Sequence, residues 1–127
     1  MRDNFSLVNS TQAKLPRLAF ADMKNAALGK EYTLTIAIVS SAHIKKLNLQ
    51  FRNINKPTDI LSFPLSKTEG EIYINLAESK NEAIKFDRTY ENFLAFLFIH
   101  GLVHLKGFDH GSTMERIEIK LRKKFKV

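Results

Sequence analysis

The sequence of 127 residues contains no cysteine. This absence excludes disulfide bridges, a thiol nucleophile, an iron–sulfur cluster and every structural zinc site built on thiolates. Long apolar segments are also missing: the longest run, over 93–99, has seven residues and is too short to cross a bilayer. Residues 1–6 lack the apolar segment of a secretory signal. We therefore predict a cytoplasmic protein with no membrane partner.

Repeats, low-complexity stretches and linkers rich in glycine, serine or proline are not found either. A chain of this length with 44% hydrophobic residues can bury a core without a disulfide or a metal to hold it. We expect residues 1–127 to form a single domain.

Positive charge is in excess, with 20 Lys and Arg against 13 Asp and Glu and a formal net charge of +7. Between Arg116 and the C-terminus, Glu118 is the one acid among six basic residues. This balance favours polyanionic partners, nucleic acid first. A solvated helix face would have the same composition, so the charge permits a nucleic-acid substrate without establishing one.

Hydrophobic periodicity predicts interleaved strands and helices. Three strands are predicted, over 32–39, 58–63 and 71–75. Helices are predicted from Pro16 to Gly29, after a cap at Ser41 with Ile44, Leu47 and Phe51 inward, from Thr89 to Lys106, and from a capping box over 112–115. This order indicates an α/β or α+β fold with one mixed sheet and helices packed on it.

The helix over 89–106 is apolar on nearly every side, which is typical of a helix buried in the core. Phe93, Phe96 and Phe98 are most simply core residues, with no need for a role in base stacking. The helix nevertheless carries two imidazoles. His100 and His104 are four residues apart and therefore lie on one face, and Gly107 lets the chain turn back to bring His110 near them.

Three imidazoles in an apolar setting would be costly to bury unless a partner satisfies them. A metal ion bound by His100, His104 and His110 satisfies one nitrogen of each ring, and other acceptors must satisfy the second. Asp109 is a candidate for such an acceptor. Three histidine ligands leave a fourth position for water, whose pKa zinc lowers to about 7. Asp109, Glu115 or His43 could close the site instead.

The spacing of the histidines matches the zinc helix of metzincin peptidases, but those enzymes need a glutamate directly after the first histidine. Gly101 occupies that position here. The metal geometry is kept while the proton acceptor of a peptidase is missing, which argues against peptidase chemistry. Zinc, nickel or another divalent ion that binds imidazole all suit this ligand set.

Three blocks of sequence are similar to one known family. Residues 100–110 read HGLVHLKGFDH, close to the motif H-G-x-L-H-L-x-G-Y-D-H. Residues 47–64 contain LN, then FR, then PTDILSFP, and Glu71 stands in GEI where the family more often has Asp. The sequence resembles the YbeY-type endoribonucleases, also called rRNA maturation factors, from about residue 31 to the C-terminus.

The resemblance implies a single-strand-specific metallo-endoribonuclease that matures the 3′ end of small-subunit rRNA and acts in ribosome quality control. It also implies a four-stranded sheet, a metal helix at one end of a cleft, and His100, His104 and His110 as ligands of one Zn²⁺ per chain. Arg52 matches the family's functional arginine, facing the metal across the cleft. The implied partners are the small ribosomal subunit and a ribosome-assembly GTPase.

Arg52 suits its implied role because a guanidinium can bind a phosphate through two parallel hydrogen bonds. Asp59 could orient Arg52 or a ligating histidine, or could simply cap the local turn. Two alternatives to the nuclease stay open: a non-catalytic, zinc-containing ribosome-assembly or RNA-binding factor, and a peptidase-like hydrolase. For the nuclease, water and a ribose 2′-hydroxyl both suit the site as nucleophile.

Overall fold

The computed structural model describes residues 4–107 and 111–127. The strands in these ranges are β1 (Phe5–Asn9), β2 (Thr33–Ile38), β3 (Ile60–Ser66) and β4 (Glu69–Ile74). The helices are α1 (Phe20–Leu28), α2 (Ser41–Arg52), α3 (Leu76–Lys85), α4 (Tyr90–Leu105) and α5 (Ser112–Phe125). The strands form one sheet in the order β1-β2-β4-β3. The predicted α+β architecture with a mixed four-stranded sheet is confirmed.

Strands β1, β2 and β4 are parallel, and β3 runs antiparallel to β4 at one edge of the sheet. We expected Pro64 to end the third strand, but β3 continues to Ser66. Proline is tolerated there because β3 is an edge strand and its pairing with β4 is irregular between Pro64 and Ser66.

Helix α4 lies in the main core, as its apolar composition predicts. It packs with α1 and α5 on one face of the sheet. Phe93 and Phe98 are buried, as expected, whereas Phe96 is only partly buried. Between residues 92 and 105, α4 has four residues that are not fully buried: Asn92, Phe96, His100 and His104. These four residues recur every fourth position and form one narrow stripe along the helix.

Helix α2 covers the opposite face of the sheet, where Ile44 packs with Val39 and Leu61. Phe51 was expected to face inward, but it is 58% exposed. It lies in the last turn of α2 against the ring of Phe63, with 5.0 Å between ring centroids. Phe63 belongs to the edge strand β3, and no further strand of the described sheet extends the apolar surface beyond it.

Three helix starts differ from those predicted. Helix α1 begins at Phe20 rather than Pro16, and no side chain caps it. Ser40, not Ser41, caps α2 by accepting a hydrogen bond from the backbone N–H of His43. The capping box predicted over 112–115 is not formed, because Gly111 is the N-cap of α5 and has no side chain to accept a bond. Among the described residues, no helix is both long enough and apolar enough to span a membrane.

Asn75 connects the ends of three elements from a buried position between β4 and α3. Its Nδ2 donates to the Val39 carbonyl after β2 (3.0 Å), and its Oδ1 accepts from the Glu78 backbone N–H (2.8 Å), which caps α3. Its own backbone N–H donates to the Asp59 carbonyl (2.9 Å), next to the start of β3. The Asn75 side chain thus joins the end of β2 to the start of α3, and the Asn75 backbone joins them to the segment before β3.

We predict that Asn75→Ala lowers the free energy of unfolding by about 3 kcal/mol, since it removes a cap and leaves a buried carbonyl unsatisfied. The matched control is Thr89→Ala, which removes the exposed cap of α4 and should cost only about 1 kcal/mol. Urea unfolding of both variants measures the difference. Equal losses would show that Asn75 acts as a helix cap and nothing more.

Candidate metal centre and substrate pocket

A pocket of about 670 Å³ opens beside the edge strand β3. Its walls come from the end of α2, from the segment that enters β3, from the corner after α3 and from one face of α4. The residues that line it include Arg52, Asp59, Phe63, Phe86, Phe96, His100 and His104. Phe96, His100 and His104 of the α4 stripe therefore form one wall of this pocket.

His100 and His104 point their Nε2 atoms at one another, with 3.0 Å between them. The two rings are nearly perpendicular, at 85°, with centroids 4.5 Å apart. The i, i+4 spacing therefore places both imidazoles together, as the sequence predicts. The two nitrogens are within hydrogen-bond distance of each other.

The second nitrogen of His100 is held by a carboxylate that the sequence analysis did not identify. Its Nδ1 lies 2.5 Å from Oε1 of Glu118, a buried residue of α5. A carboxylate only accepts, so Nδ1 carries the hydrogen, and in a neutral ring Nε2 keeps its lone pair toward His104. One feature of the sequence points to Glu118: it is the one acidic residue in a segment with six basic residues.

The pair fits a metal ion. Two nitrogens that bind one tetrahedral zinc ion at 2.0–2.1 Å lie about 3.3 Å apart, close to the separation found here. The hydrogen bond from His100 to Glu118 is the arrangement by which proteins orient metal-ligating histidines. His110 and Asp109 lie outside the described residues, so the third ligand and the proposed acceptor stay predictions.

Other candidate residues lie away from the pair. Within residues 4–107 and 111–127, no group of three His, Asp or Glu side chains could hold an ion, so neither Glu115 nor His43 joins His100 and His104. His43 lines a separate shallow depression with Ala42 and Lys46. Glu71 accepts a hydrogen bond from the Tyr73 hydroxyl (3.4 Å) and does not line the pocket.

Arg52 is the last residue of α2 and lines the same pocket as the histidine pair. The helix ends after it because Asn53 adopts a left-handed conformation (φ 58°), which asparagine tolerates better than most residues. The backbone N–H of Asn53 returns to the Leu49 carbonyl and closes the last turn. Arg52 is therefore held at a well-defined helix end, and its function stays a prediction.

Asp59 lines the pocket too, but its bonds are local. Its carboxylate accepts from the Thr58 hydroxyl (3.4 Å) and from the backbone N–H groups of Asp59 and Ile60. None of the hydrogen bonds found among the described residues joins it to Arg52 or a histidine, which favours the turn-capping interpretation. Burial, and then the nearby charge of Glu82, raise the pKa of Asp59, and the local hydrogen bonds offset only part of this effect.

Gly101 lies where α4 approaches the sheet most closely. A Cβ at this position would lie 2.8 Å from Cδ1 of Ile60, 3.0 Å from Oγ of Ser62 and 3.3 Å from Cδ1 of Ile72. The glutamate that a peptidase carries after its first histidine would need space that Ile60, Ser62 and Ile72 already occupy. Packing against β3 and β4 therefore gives a structural reason against the peptidase alternative.

Comparison with known proteins identifies the family. The model of the endoribonuclease YbeY family matches residues 3–126. This chain belongs to that family. An endoribonuclease YbeY of Acholeplasma laidlawii is 34% identical over 104 residues, covering 79% of this chain and 72% of the relative. One from Aliarcobacter butzleri is 36% identical over 110 residues, covering 82% and 77%.

The fold of the family is also found in a solved structure. The solution structure of a Thermotoga maritima protein superimposes with a TM-score of 0.66 at 27% sequence identity, over 95% of this chain and 88% of that one. The resemblance inferred from the histidine motif is confirmed at the level of family and fold.

The raised pKa of Asp59 leads to a prediction about stability. Because the folded-state pKa is above the ordinary value, the ionised carboxylate opposes folding at neutral pH and this cost disappears as pH falls below about 4. Asp59→Asn should therefore unfold at higher urea concentration than wild type at pH 7, and the gain should vanish near pH 3.5. A loss of stability that is the same at both pH values would show that the local hydrogen bonds dominate.

Proposed function

We propose that this YbeY-family protein is a single-strand-specific, zinc-dependent endoribonuclease that matures the 3′ end of small-subunit rRNA and acts in ribosome quality control. One observation carries the proposal: His100 and His104, whose Nε2 atoms are 3.0 Å apart, line the same pocket as Arg52. Relatives that share the family are named endoribonucleases, which supports RNA as the substrate.

His100 and His104 would hold the zinc ion together with His110, and Glu118 would orient His100. A bound zinc ion supplies a Lewis acid that polarises a phosphate oxygen and lowers the pKa of water. Nickel could serve the same ligands. The burial of Glu118 keeps water from competing for His100, so the ring that faces the pocket has a defined direction.

Arg52 would bind the phosphate that is cleaved. Its guanidinium can donate two parallel hydrogen bonds to phosphate oxygens and can offset the negative charge that grows on them as the nucleophile attacks. The attacking group is water or the neighbouring ribose 2′-hydroxyl, and the pocket is wide enough for either. The net charge of +7 supports binding of the RNA backbone.

The proposal extends to partners and location by family resemblance: the small ribosomal subunit, a ribosome-assembly GTPase and the cytoplasm. The main rival is a non-catalytic factor whose zinc shapes an RNA-binding or protein-binding surface on the ribosome. It differs from the nuclease in one measurable respect, which is that its metal is needed for folding or affinity and not for cleavage.

The decisive experiment measures metal content and RNA cleavage on the same preparations. Wild type should contain one zinc per chain and cut a single-stranded rRNA-tail oligonucleotide, and both properties should be lost in His104→Ala. Glu118→Gln should bind zinc about 10–100-fold more weakly, because it weakens the acceptor for His100. His43→Ala, a histidine outside the pocket, is the matched control and should behave as wild type.

Each outcome separates the alternatives. Stoichiometric zinc without metal-dependent cleavage would favour the binding factor. Absence of zinc and nickel from folded wild type would remove the metal site altogether. Cleavage that survives both a chelator and His104→Ala would show that the histidine pair is not part of the active site.

Arg52→Ala tests the phosphate-binding role. We expect kcat to fall by about 10²-fold, since a donor that stabilises the transition state is lost, while zinc content and melting temperature stay unchanged. Arg52→Lys keeps the charge but not the paired donors and should recover only part of the activity. Lys46→Ala, on the same helix but outside this pocket, is the control. Loss of zinc from Arg52→Ala would assign Arg52 to the metal scaffold instead.

A further inference from the structure

An aromatic wall closes the part of the pocket that Phe86, Phe93 and Phe96 line. Phe86 stacks on Phe93 with 5.4 Å between centroids and an interplanar angle of 23°, and it lies 6.5 Å from Phe96. Phe93 is buried, whereas Phe86 is 57% exposed. Phe93 therefore supports the exposed ring of Phe86, and apolar surface of Phe86 stays open to the pocket.

Two arginines lie over the ring of Phe96. The Cζ atom of Arg88 is 4.5 Å and that of Arg122 is 5.1 Å from its centroid. Arg88 also donates from Nη1 to Oδ1 of Asn92, which is on the same α4 stripe. The ion pairs found among the described residues, Lys85–Glu82 and His100–Glu118, involve neither arginine. Two like charges thus share one aromatic ring, and within residues 4–107 and 111–127 neither forms an ion pair with a carboxylate.

The backbone holds Phe86 and Arg88 in place. The N–H of Arg88 donates to the Ala83 carbonyl (3.0 Å) and that of Asp87 to the Ile84 carbonyl (3.2 Å), with Asp87 left-handed at φ 54°. This is a Schellman motif, which ends α3 with a fixed geometry. Thr89 caps α4 immediately afterwards. The corner between α3 and α4 is therefore short and fully hydrogen-bonded, so both side chains leave from a defined backbone.

We propose that this corner is a nucleotide subsite: an unpaired base stacks on the exposed ring of Phe86, and its phosphate binds Arg88 and Arg122, which Phe96 holds in place. Stacking on a ring leaves the edge of a guanidinium free to donate to phosphate oxygens. A nucleotide of single-stranded RNA supplies both the flat apolar face and the anion. This inference rests on the proposed function, because the RNA is the substrate proposed above.

The subsite is continuous with the site of cleavage. Phe96 precedes His100 by four residues on the α4 stripe, which places it about one helical turn, or about 6 Å, along the axis. A nucleotide bound there would lie directly beside the one whose phosphate meets Arg52 and the histidine pair. The subsite would thus favour an unpaired strand, because a base held in a duplex cannot stack on a protein ring.

The test compares single-stranded oligoribonucleotides lengthened one nucleotide at a time on each side of the cleavage position. In wild type, kcat/KM should rise about tenfold at the nucleotide that reaches the subsite, and an abasic residue there should abolish most of the rise. We define the length ratio as kcat/KM with this nucleotide divided by kcat/KM without it. The ratio should fall to about twofold or less in the double variant Arg88→Gln/Arg122→Gln and also in Phe86→Ala. The double arginine variant should also lower the slope of log affinity against log salt by about 0.7, because one phosphate is no longer neutralised.

Lys14→Gln/Arg17→Gln removes the same charge from exposed residues outside the pocket, and it should keep the ratio of wild type. An equal drop in this control would show that only general charge is at work and would overturn the subsite. If the double arginine variant does not fold by circular dichroism, Phe86→Ala decides, since that side chain is largely exposed.

The failures of the two proposals are distinguishable. Wild type that cuts RNA with a length ratio unaffected by these variants would overturn the subsite and keep the nuclease. Wild type that binds RNA without cutting it would overturn the nuclease, and the same length series read as affinity would still decide on the subsite. Wild type that neither binds nor cuts RNA would overturn both.

Discussion

The close packing of α4 on the sheet at Gly101 is the constraint on which the site depends. The helix is buried on nearly all sides, and a Cβ at Gly101 would lie within 3.3 Å of three side-chain atoms of β3 and β4. A helix held so tightly cannot rotate or slide to hide its polar residues. Its incompletely buried positions therefore fall on one stripe, and that stripe carries His100 and His104 toward the pocket with Phe96 one turn before them.

The elements that sequence predicts well are those whose burial follows a simple period. In β2 and β4 every second residue is buried, and α4 is apolar all round. β1 and α3 were not predicted, because β1 is a five-residue edge strand with no buried residue and α3 buries only Leu76, Ser79 and Ala83. Parallel pairing with β2 and packing on α4 supply what their own sequences lack, and both are long-range contacts.

The residues of the site also fall into two groups: those that a local spacing predicts, and those whose position depends on how distant elements pack. The two histidines could be predicted because four residues of helix fix their distance, whatever the rest of the chain does. Glu118 could not be assigned to His100, since the contact spans 18 residues and depends on how α5 docks on α4. The meeting of Arg52 with the histidine pair was predicted only through family resemblance. No local sequence pattern fixes the distance between the end of α2 and the middle of α4.

The basic residues of α5 differ in their exposure, although the sequence shows them as one run of positive charge. Composition alone treats its basic residues as a solvated face, and for Lys123 and Lys124 the exposure agrees with this view. Arg122 differs because it is partly buried against Phe96, one turn after the buried Glu118. The helical repeat that points Met114, Glu118 and Leu121 toward the core also brings Arg122 to the ring of Phe96. A single docked helix thus supplies the acid that orients His100 and a cation that neighbours the aromatic wall. The position of α5 thus links the geometry of the histidine pair to the positive charge beside the aromatic wall.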